Sequence, residues 1–181
     1  NEDSGTLKEA IETVKNYSVV SSAKNVIISY QPKEKDQSIS ENYFVCKGSD
    51  ILHEELCGLK YSYSVQGFFQ NNPMMAEKMI NYVKGLFTAY SETKNIQLLD
   101  LYGGVGTFGV ALADLFEKVF VMELFAPSID LAKKNISENN LSNVSALVGD
   151  VKQFRKLGFD SNKKTFVLVD PPRSGIVPKA L

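Results

Sequence analysis

Apolar residues at Leu7, Ala10, Ile11 and Val14, with polar ones between, recur every three or four positions and predict a short amphipathic helix over 6–17. The runs 25–30 (NVIISY) and 42–46 read as strands on either side of a polar stretch, QPKEKDQSIS, that no core would accept. An alternating run over 60–65 (KYSYSV) reads as another strand. Residues 1–65 are therefore expected to form a small α+β module rich in antiparallel pairing, with 66–181 as a second domain.

At Asn72-Pro73 the pattern turns helical. Asn72 suits an N-cap, and Pro73 suits the first helical position, where its missing N–H costs nothing. Met75, Met79, Val83, Leu86 and Phe87 then form a stripe expected to pack in the core. From 96 onward, strand-like runs at 96–101, 118–122, 144–148 and 165–169 alternate with helical patterns at 107–116 and 127–139. Such alternation is the signature of crossovers and a parallel sheet, hence an α/β fold. Residues 176–181 look like the first turn of one more helix, so the sheet is expected to be incomplete on its C-terminal side.

Composition narrows the class. With 44% hydrophobic and 23% charged residues and a net charge of −1, the 181-residue chain is neither a disordered tail nor a disulfide miniature. No apolar run approaches the roughly 18 residues of a membrane helix, and no basic segment with an apolar stretch opens the chain as a secretory leader would. Cys46 and Cys57 are too few for a disulfide framework or a four-cysteine metal site, which points to a reducing cytoplasm. The single histidine, His53, excludes any mechanism needing two. Lacking an initiator Met and stopping at Ala180-Leu181, the chain reads as a piece of a longer one. Its last segment, 151–181, holds seven basic and two acidic side chains, either a face for a polyanion or a solvated lysine-rich edge.

The candidate chemistry begins at the turn between the strand at 96–101 and the helix after it, LLDLYGGVGTFG. Glycines let the backbone turn sharply and approach a ligand closely, and a helix N-terminus offers free N–H groups. Gly104-x-Gly106-x-x-Gly109 fits a dinucleotide fingerprint, and Glu123 stands where a ribose-binding acid is expected. Asp100 just before the glycines would repel a pyrophosphate but suits S-adenosylmethionine, whose amino-acid end is cationic. That pattern favours S-adenosylmethionine over NAD. Asp150, after the third strand, either accepts from an adenine amino group or caps the helical residues that follow.

Two further motifs sharpen the picture: Asp170-Pro-Pro-Arg-Ser-Gly175 after the fourth strand, and Gly67-Phe-Phe-Gln-Asn-Asn72 before the long helix. Together with DLYGGVGTFG they resemble the RNA uracil-5-methyltransferase family, in the family's order, from about Leu52 to the C-terminus. The resemblance implies a Rossmann-like class I methyltransferase sheet and S-adenosylmethionine-dependent formation of 5-methyluridine in tRNA or rRNA. It implies that Gln70, Tyr102, Thr107, Glu123 and Asp170 bind the cofactor, joined on the reading above by Asp100, Gly104, Gly106 and Asp150. It also implies a nucleophilic Cys and a proton-accepting Glu beyond Leu181, leaving no catalytic residue in this chain. Gly103 stands where the family commonly has Cys, and Arg173 is assigned either to RNA phosphate or to holding its loop by a carboxylate.

Overall fold

The computed structural model describes residues 4–29, 43–89, 95–172 and 175–176. Arg173, the polar stretch at 31–40 and, apart from Ile176, the expected last helical turn lie outside them. The described residues group into two compact units, one within Asn1–Leu52 with Ser64–Gln66, the other His53–Tyr63 with Gly67–Leu181. The sequence puts the division at 65; contacts assign residues 53–63 to the second unit.

In the first unit, helix α1 (Ser4–Val20) precedes strands β1 (Val26–Ser29) and β2 (Tyr43–Lys47), which pair antiparallel with a register shift between Val26 and Ile27. Asn25 fixes the chain after β2 by accepting from the Ser49 N–H at 2.9 Å.

The hairpin of β3 (Ile51–Leu56) and β4 (Leu59–Ser64) turns at Cys57-Gly58, both with positive φ (53° and 77°). The sequence pattern identifies β4 but misses β3, because His53, Glu54 and Glu55 interrupt its apolar run.

Helix α2 (Pro73–Thr88) starts as expected: the Asn72 side chain accepts from the Met75 N–H at 3.1 Å. Only part of the expected stripe, Val83 and Phe87, belongs to its core face. Met75 and Leu86 are half exposed, and the buried line is Ala76 and Ile80, continued by the partly covered Val83 and Phe87. Met75, Met79 and Leu86 lie one residue, about 100°, around the helix from that line, whereas Val83 and Phe87 of the expected stripe lie on it. Phe87 meets Phe116 edge-on at 5.0 Å between centroids and Phe166 at 5.2 Å.

Four parallel strands form the sheet: β5 (Gln97–Leu101), β6 (Lys118–Glu123), β7 (Val144–Val148) and β8 (Thr165–Val169), in spatial order β7-β6-β5-β8. Helix α3 (Thr107–Ala111) links β5 to β6 and is shorter than the 107–116 expected, with a 3₁₀ turn at Ala113–Leu115 taking over. Helix α4 (Ala126–Glu138) links β6 to β7. Side chains alternate across the sheet: Leu98, Val119 and Val121 join the core under the helices, while Leu99, Leu101, Phe120 and Met122 pack with Val151 on the other face. The first face is covered by the helices; the second is covered at its central strands, while Leu147 of β7 and Val167 and Val169 of β8 remain exposed on it. The chain steps from β5 through β6 to β7 on one side, then returns from β7 to β8 on the other side of β5; the order reverses there and a crevice opens at the carboxyl ends of β5 and β8.

Helix α4 also replaces a missing strand along β4. Asn135 accepts from the Ser62 N–H (2.7 Å) and donates to the Ser62 carbonyl (3.1 Å); four residues on, Asn139 does the same for Lys60 (2.9 and 2.7 Å). Four helical residues rise about 6 Å, close to the spacing of alternate strand residues, so two amides serve two rungs. Asn135, fully buried, donates again to the Val105 carbonyl at 3.0 Å, tying β4 to the glycine loop.

Asn135→Ala leaves three buried backbone groups unpaired and is expected to cost about 2–4 kcal/mol. Asn139→Ala, at a wetter site, should cost about 0.5–1.5 kcal/mol. Urea unfolding of the two variants checks the order; equal losses would mean that the buried amide is no clamp.

Candidate functional site

The site is built on the turn after β5. Strand β5 is buried along its whole length, and that carries Asp100 into the interior at 1% exposure. Its Oδ2 accepts the Gly109 N–H at 2.8 Å, pinning the start of α3, while its Oδ1 is buried without a partner. The glycines beside it have no space for a side chain. A Cβ on Gly103 would lie 2.5 Å from Val121 Cγ1 and 3.0 Å from Asp100 Oδ2; one on Gly109 would lie 2.5 Å from Val121 Cγ2 and 2.9 Å from Asp100 Oδ2. Gly106 is needed for its backbone, at φ 83°. Tyr102 is left-handed too (φ 63°), a strained conformation for a tyrosine.

Around this turn a cleft of about 320 Å³, counted to its open mouth, is lined among others by Phe68, Gln70, Asp100, Tyr102, Thr107 and Asp170. The GFFQNN and DPPR motifs and the glycine turn, far apart in sequence, therefore meet there. Gly104 lines the cleft as well, and Gly106 caps α3 beside it. The sequence reading missed Phe68, 67% exposed, and Phe108 in the wall, although Phe68 sits in a motif it singled out. Among the described residues two buried side-chain polar atoms lack a partner, Asp100 Oδ1 and Tyr102 Oη, and both belong to cleft residues.

Four acids mark the carboxyl edge of the sheet, one per strand: Asp150 after β7, Glu123 ending β6, Asp100 in β5 and Asp170 after β8. Glu123 is already engaged. Its Oε1 accepts from the N–H groups of Leu124 (2.7 Å) and Phe125 (2.9 Å), and its Oε2 from Gly104 (3.3 Å), so it braces the turn into α4 and the glycine loop together. Asp150 caps the 3₁₀ run Val151–Leu157, accepting from the Lys152 N–H at 3.0 Å. Neither of these two acids is among the residues lining the cleft.

Burial pushes the Asp100 carboxyl up to about 7, against the Gly109 hydrogen bond that lowers it and with the charges of Asp170 and Glu123 adding to the rise. The Cys57 thiol is raised as well, first by burial and then by Glu77, with Lys84 offsetting part; the acids next to it in sequence, Glu54 and Glu55, are not the cause. A larger groove of about 830 Å³, lined by His53, Glu54, Glu55, Lys60, Tyr61 and Glu138, has neither glycine backbone nor an unpartnered buried atom. His53 in it has Nδ1 3.0 Å from the Ser62 hydroxyl. The smaller cleft is the better candidate.

Residues 28–181 match the family model described as tRNA (Uracil-5-)-methyltransferase. The chain is 36% identical over 173 residues to an uncharacterized RNA methyltransferase of Caldanaerobacter subterraneus subsp. tengcongensis, covering 96% of this chain and 37% of that protein. It is 31% identical over 175 residues to one of Clostridium tetani, again covering 37% of the relative, so the chain spans little more than a third of these proteins. Among solved structures it resembles the Pyrococcus abyssi tRNA (uracil-54, C5)-methyltransferase in complex with S-adenosyl-L-homocysteine, with TM-score 0.66 and 25% identity over 91% of this chain and 38% of that one. The M. jannaschii tRNA m1G37 methyltransferase shares the fold (TM-score 0.51, 18% identity, 61% of this chain and 34% of that one). Among the described residues no helix is long and apolar enough to cross a membrane.

Two predictions follow from the packing and charge of the turn. Gly109→Ala should lose about 1–3 kcal/mol by overpacking, and Gly104→Ala, where a Cβ meets nothing within 4 Å, about 1 kcal/mol through its positive φ alone. Val121→Ala should restore part of the Gly109→Ala loss in thermal unfolding, and simple additivity would contradict the contact. Asp100 is raised from the ordinary carboxylate range to about 7 in the folded protein, so folding favours its protonated form. Its contribution to stability is complete below about pH 4 and is lost as pH rises through about 7. Asp100→Asn keeps an acceptor for Gly109 and removes the charge, so it should gain on the wild type by roughly 1–3 kcal/mol between pH 5 and 8. A constant difference in unfolding free energy across that range would contradict the burial argument.

Proposed function

The chain belongs to the tRNA (uracil-5-)-methyltransferase family, and from that premise we propose that its cleft holds S-adenosylmethionine for methyl transfer to C5 of a uridine in tRNA or rRNA. One observation carries this reading: a fully buried acid, with one oxygen unpartnered, facing a cleft floored by glycine backbone. A ligand ammonium group gives that oxygen the partner it lacks, whereas a dinucleotide pyrophosphate would be repelled there. The residues fit the cofactor.

In this reading Asp100 and Gln70 take the amino-acid end, and Tyr102 and Thr107 line the turn against it. Gly104 and Gly106 let the backbone come close, with the first N–H groups of α3 beyond them. Glu123 accepts from the ribose hydroxyls with the lone-pair capacity that its three backbone donors leave free. Asp150, next along the carboxyl edge, accepts from the adenine amino group with capacity left by its capping bond, and Asp170 closes the opposite wall. The bound cofactor supplies an electrophilic methyl group on a sulfonium centre. The chain's residues bind it, orient it and shield it from water.

The nucleophilic Cys and the Glu base belong, on the family resemblance, to the part of the whole protein after Leu181. Cys57, with its thiol raised by burial and Glu77, is a poor candidate for either task. The substrate is RNA and the compartment the cytoplasm.

Calorimetry with S-adenosylhomocysteine and with NAD tests the reading. Micromolar binding of the first without the second is expected, and the reverse would replace this function by a dinucleotide one. Glu123→Ala should weaken S-adenosylhomocysteine binding roughly 10- to 100-fold, since a hydrogen bond to a charged group is worth about 1.5–3 kcal/mol. Unchanged affinity in a folded variant would remove Glu123 from the site.

A further inference from the structure

Asp100 is under-provided for as an anion. Its Oδ2 receives one N–H, its Oδ1 receives nothing, and the side chain is out of water. An ionised carboxylate normally draws two or three donors when buried, and without them it takes up a proton. The groups facing it from each neighbouring element make ionisation harder still. Glu123 stands at the end of β6 and Asp170 follows β8; both carry charge of the same sign. From β4 comes Tyr61, whose hydroxyl is committed to the Thr107 carbonyl at 3.1 Å. The start of α3 offers the Gly109 N–H already counted, and Tyr102 beside it in the chain has a hydroxyl without a partner. The oxygen with spare capacity belongs to a residue that lines the cleft.

We propose that Asp100 makes this cleft a proton-linked selector for cationic amino-acid ligands: its carboxyl holds a proton in the free protein and releases it to solvent as a ligand ammonium group docks against Oδ1. The proposal rests on the S-adenosylmethionine reading of the cleft. The O–H bond of the carboxyl breaks, its electron pair stays on the oxygen, the proton passes to buffer, and the ammonium keeps all of its own protons. Charge in the cleft is then balanced in both states, by the proton in one and by the ligand in the other. Burial is thus tolerated in the free protein and used for discrimination in the bound one. A nucleoside without an ammonium group cannot displace the proton and gains nothing from Asp100. With the free carboxyl raised to about 7, the useful window lies around neutrality.

The test is calorimetry of the full chain with S-adenosylhomocysteine at pH 6, 7 and 8, each in two buffers of different ionisation enthalpy. Release of about half a proton per site at pH 7 is expected, with affinity rising about tenfold from pH 6 to pH 8. Adenosine, used as the ligand without an ammonium group, should bind with no proton release and no pH dependence. Asp100→Asn should bind S-adenosylhomocysteine more weakly, with the pH dependence and the proton release both gone. The buffer comparison on the wild type stands even where that variant fails to fold. Binding of S-adenosylhomocysteine with equal affinity at pH 6 and 8 and no proton release would overturn this proposal and leave the cofactor reading intact. Proton release that persists in Asp100→Asn would assign it to another group and also overturn the proposal. No binding of S-adenosylhomocysteine at any pH would overturn both readings.

Discussion

One constraint organises this fold: a carboxylate is carried into the interior by a central strand, and the backbone must close over it. Asp100 lies on the same side of β5 as Leu98, against the helices, and its Oδ2 accepts the Gly109 N–H in α3, beyond the turn. Because Gly103 and Gly109 lie directly against that carboxyl and against Val121, no side chain can intervene, and the turn is as tight as backbone alone allows. The glycine pattern is thus explained twice. Gly103 and Gly109 provide contact with the acid beneath them, and Gly104 and Gly106 supply the left-handed turns that lead the chain into α3.

The rest of the site depends on that closure. Glu123 reaches back from β6 to the Gly104 N–H, and Asn135 of α4 donates to the Val105 carbonyl, so neighbouring elements hold the loop from two directions. Asn135 and Asn139 at the same time pair with β4, which gives α4 a role beyond covering the sheet. Gln97 at the start of β5 repeats the device, its amide exchanging two hydrogen bonds of 2.9 Å with the backbone of Asp160. At Lys60, Ser62 and Asp160, side-chain amides thus take the place of a neighbouring strand. The cost of ordering them is repaid because each satisfies both groups of a residue at once.

Much of this was legible in the sequence, and the exceptions have physical causes. The four parallel strands read clearly because buried strands need continuous apolar runs, and Asn72-Pro73 read clearly because capping chemistry is local. Strand β3 was hidden since His53, Glu54 and Glu55 form an unbroken polar block between Leu52 and Leu56, and its turn uses Cys57 where Asn or Asp would have signalled a hairpin. The methionine stripe of α2 misled because two apolar stripes run side by side and pattern alone does not say which meets the core. Asp100 and Glu123 were legible from their places around the glycine turn, Asp150 from its place after the third strand, and Asp170 only through the family resemblance. Their circumstances were not: nothing in the sequence says that Asp100 is buried, or that Glu123 already holds three backbone donors. Asn135 and Asn139 carry no signal in the sequence, because a buried amide is recognised only by the backbone that it pairs with.

On the function proposed for this cleft, the unpartnered oxygen of Asp100 anchors the cationic end of the ligand. The most direct measurement is a crystal structure of the chain with S-adenosylhomocysteine bound. The ligand's α-amino nitrogen is expected within hydrogen-bonding distance of Asp100 Oδ1, with the rest of the molecule running along the glycine turn toward Glu123. A ligand seated in the groove of His53 and Glu138, or one whose amino group turns away while Asp100 Oδ1 stays without a partner, would contradict it.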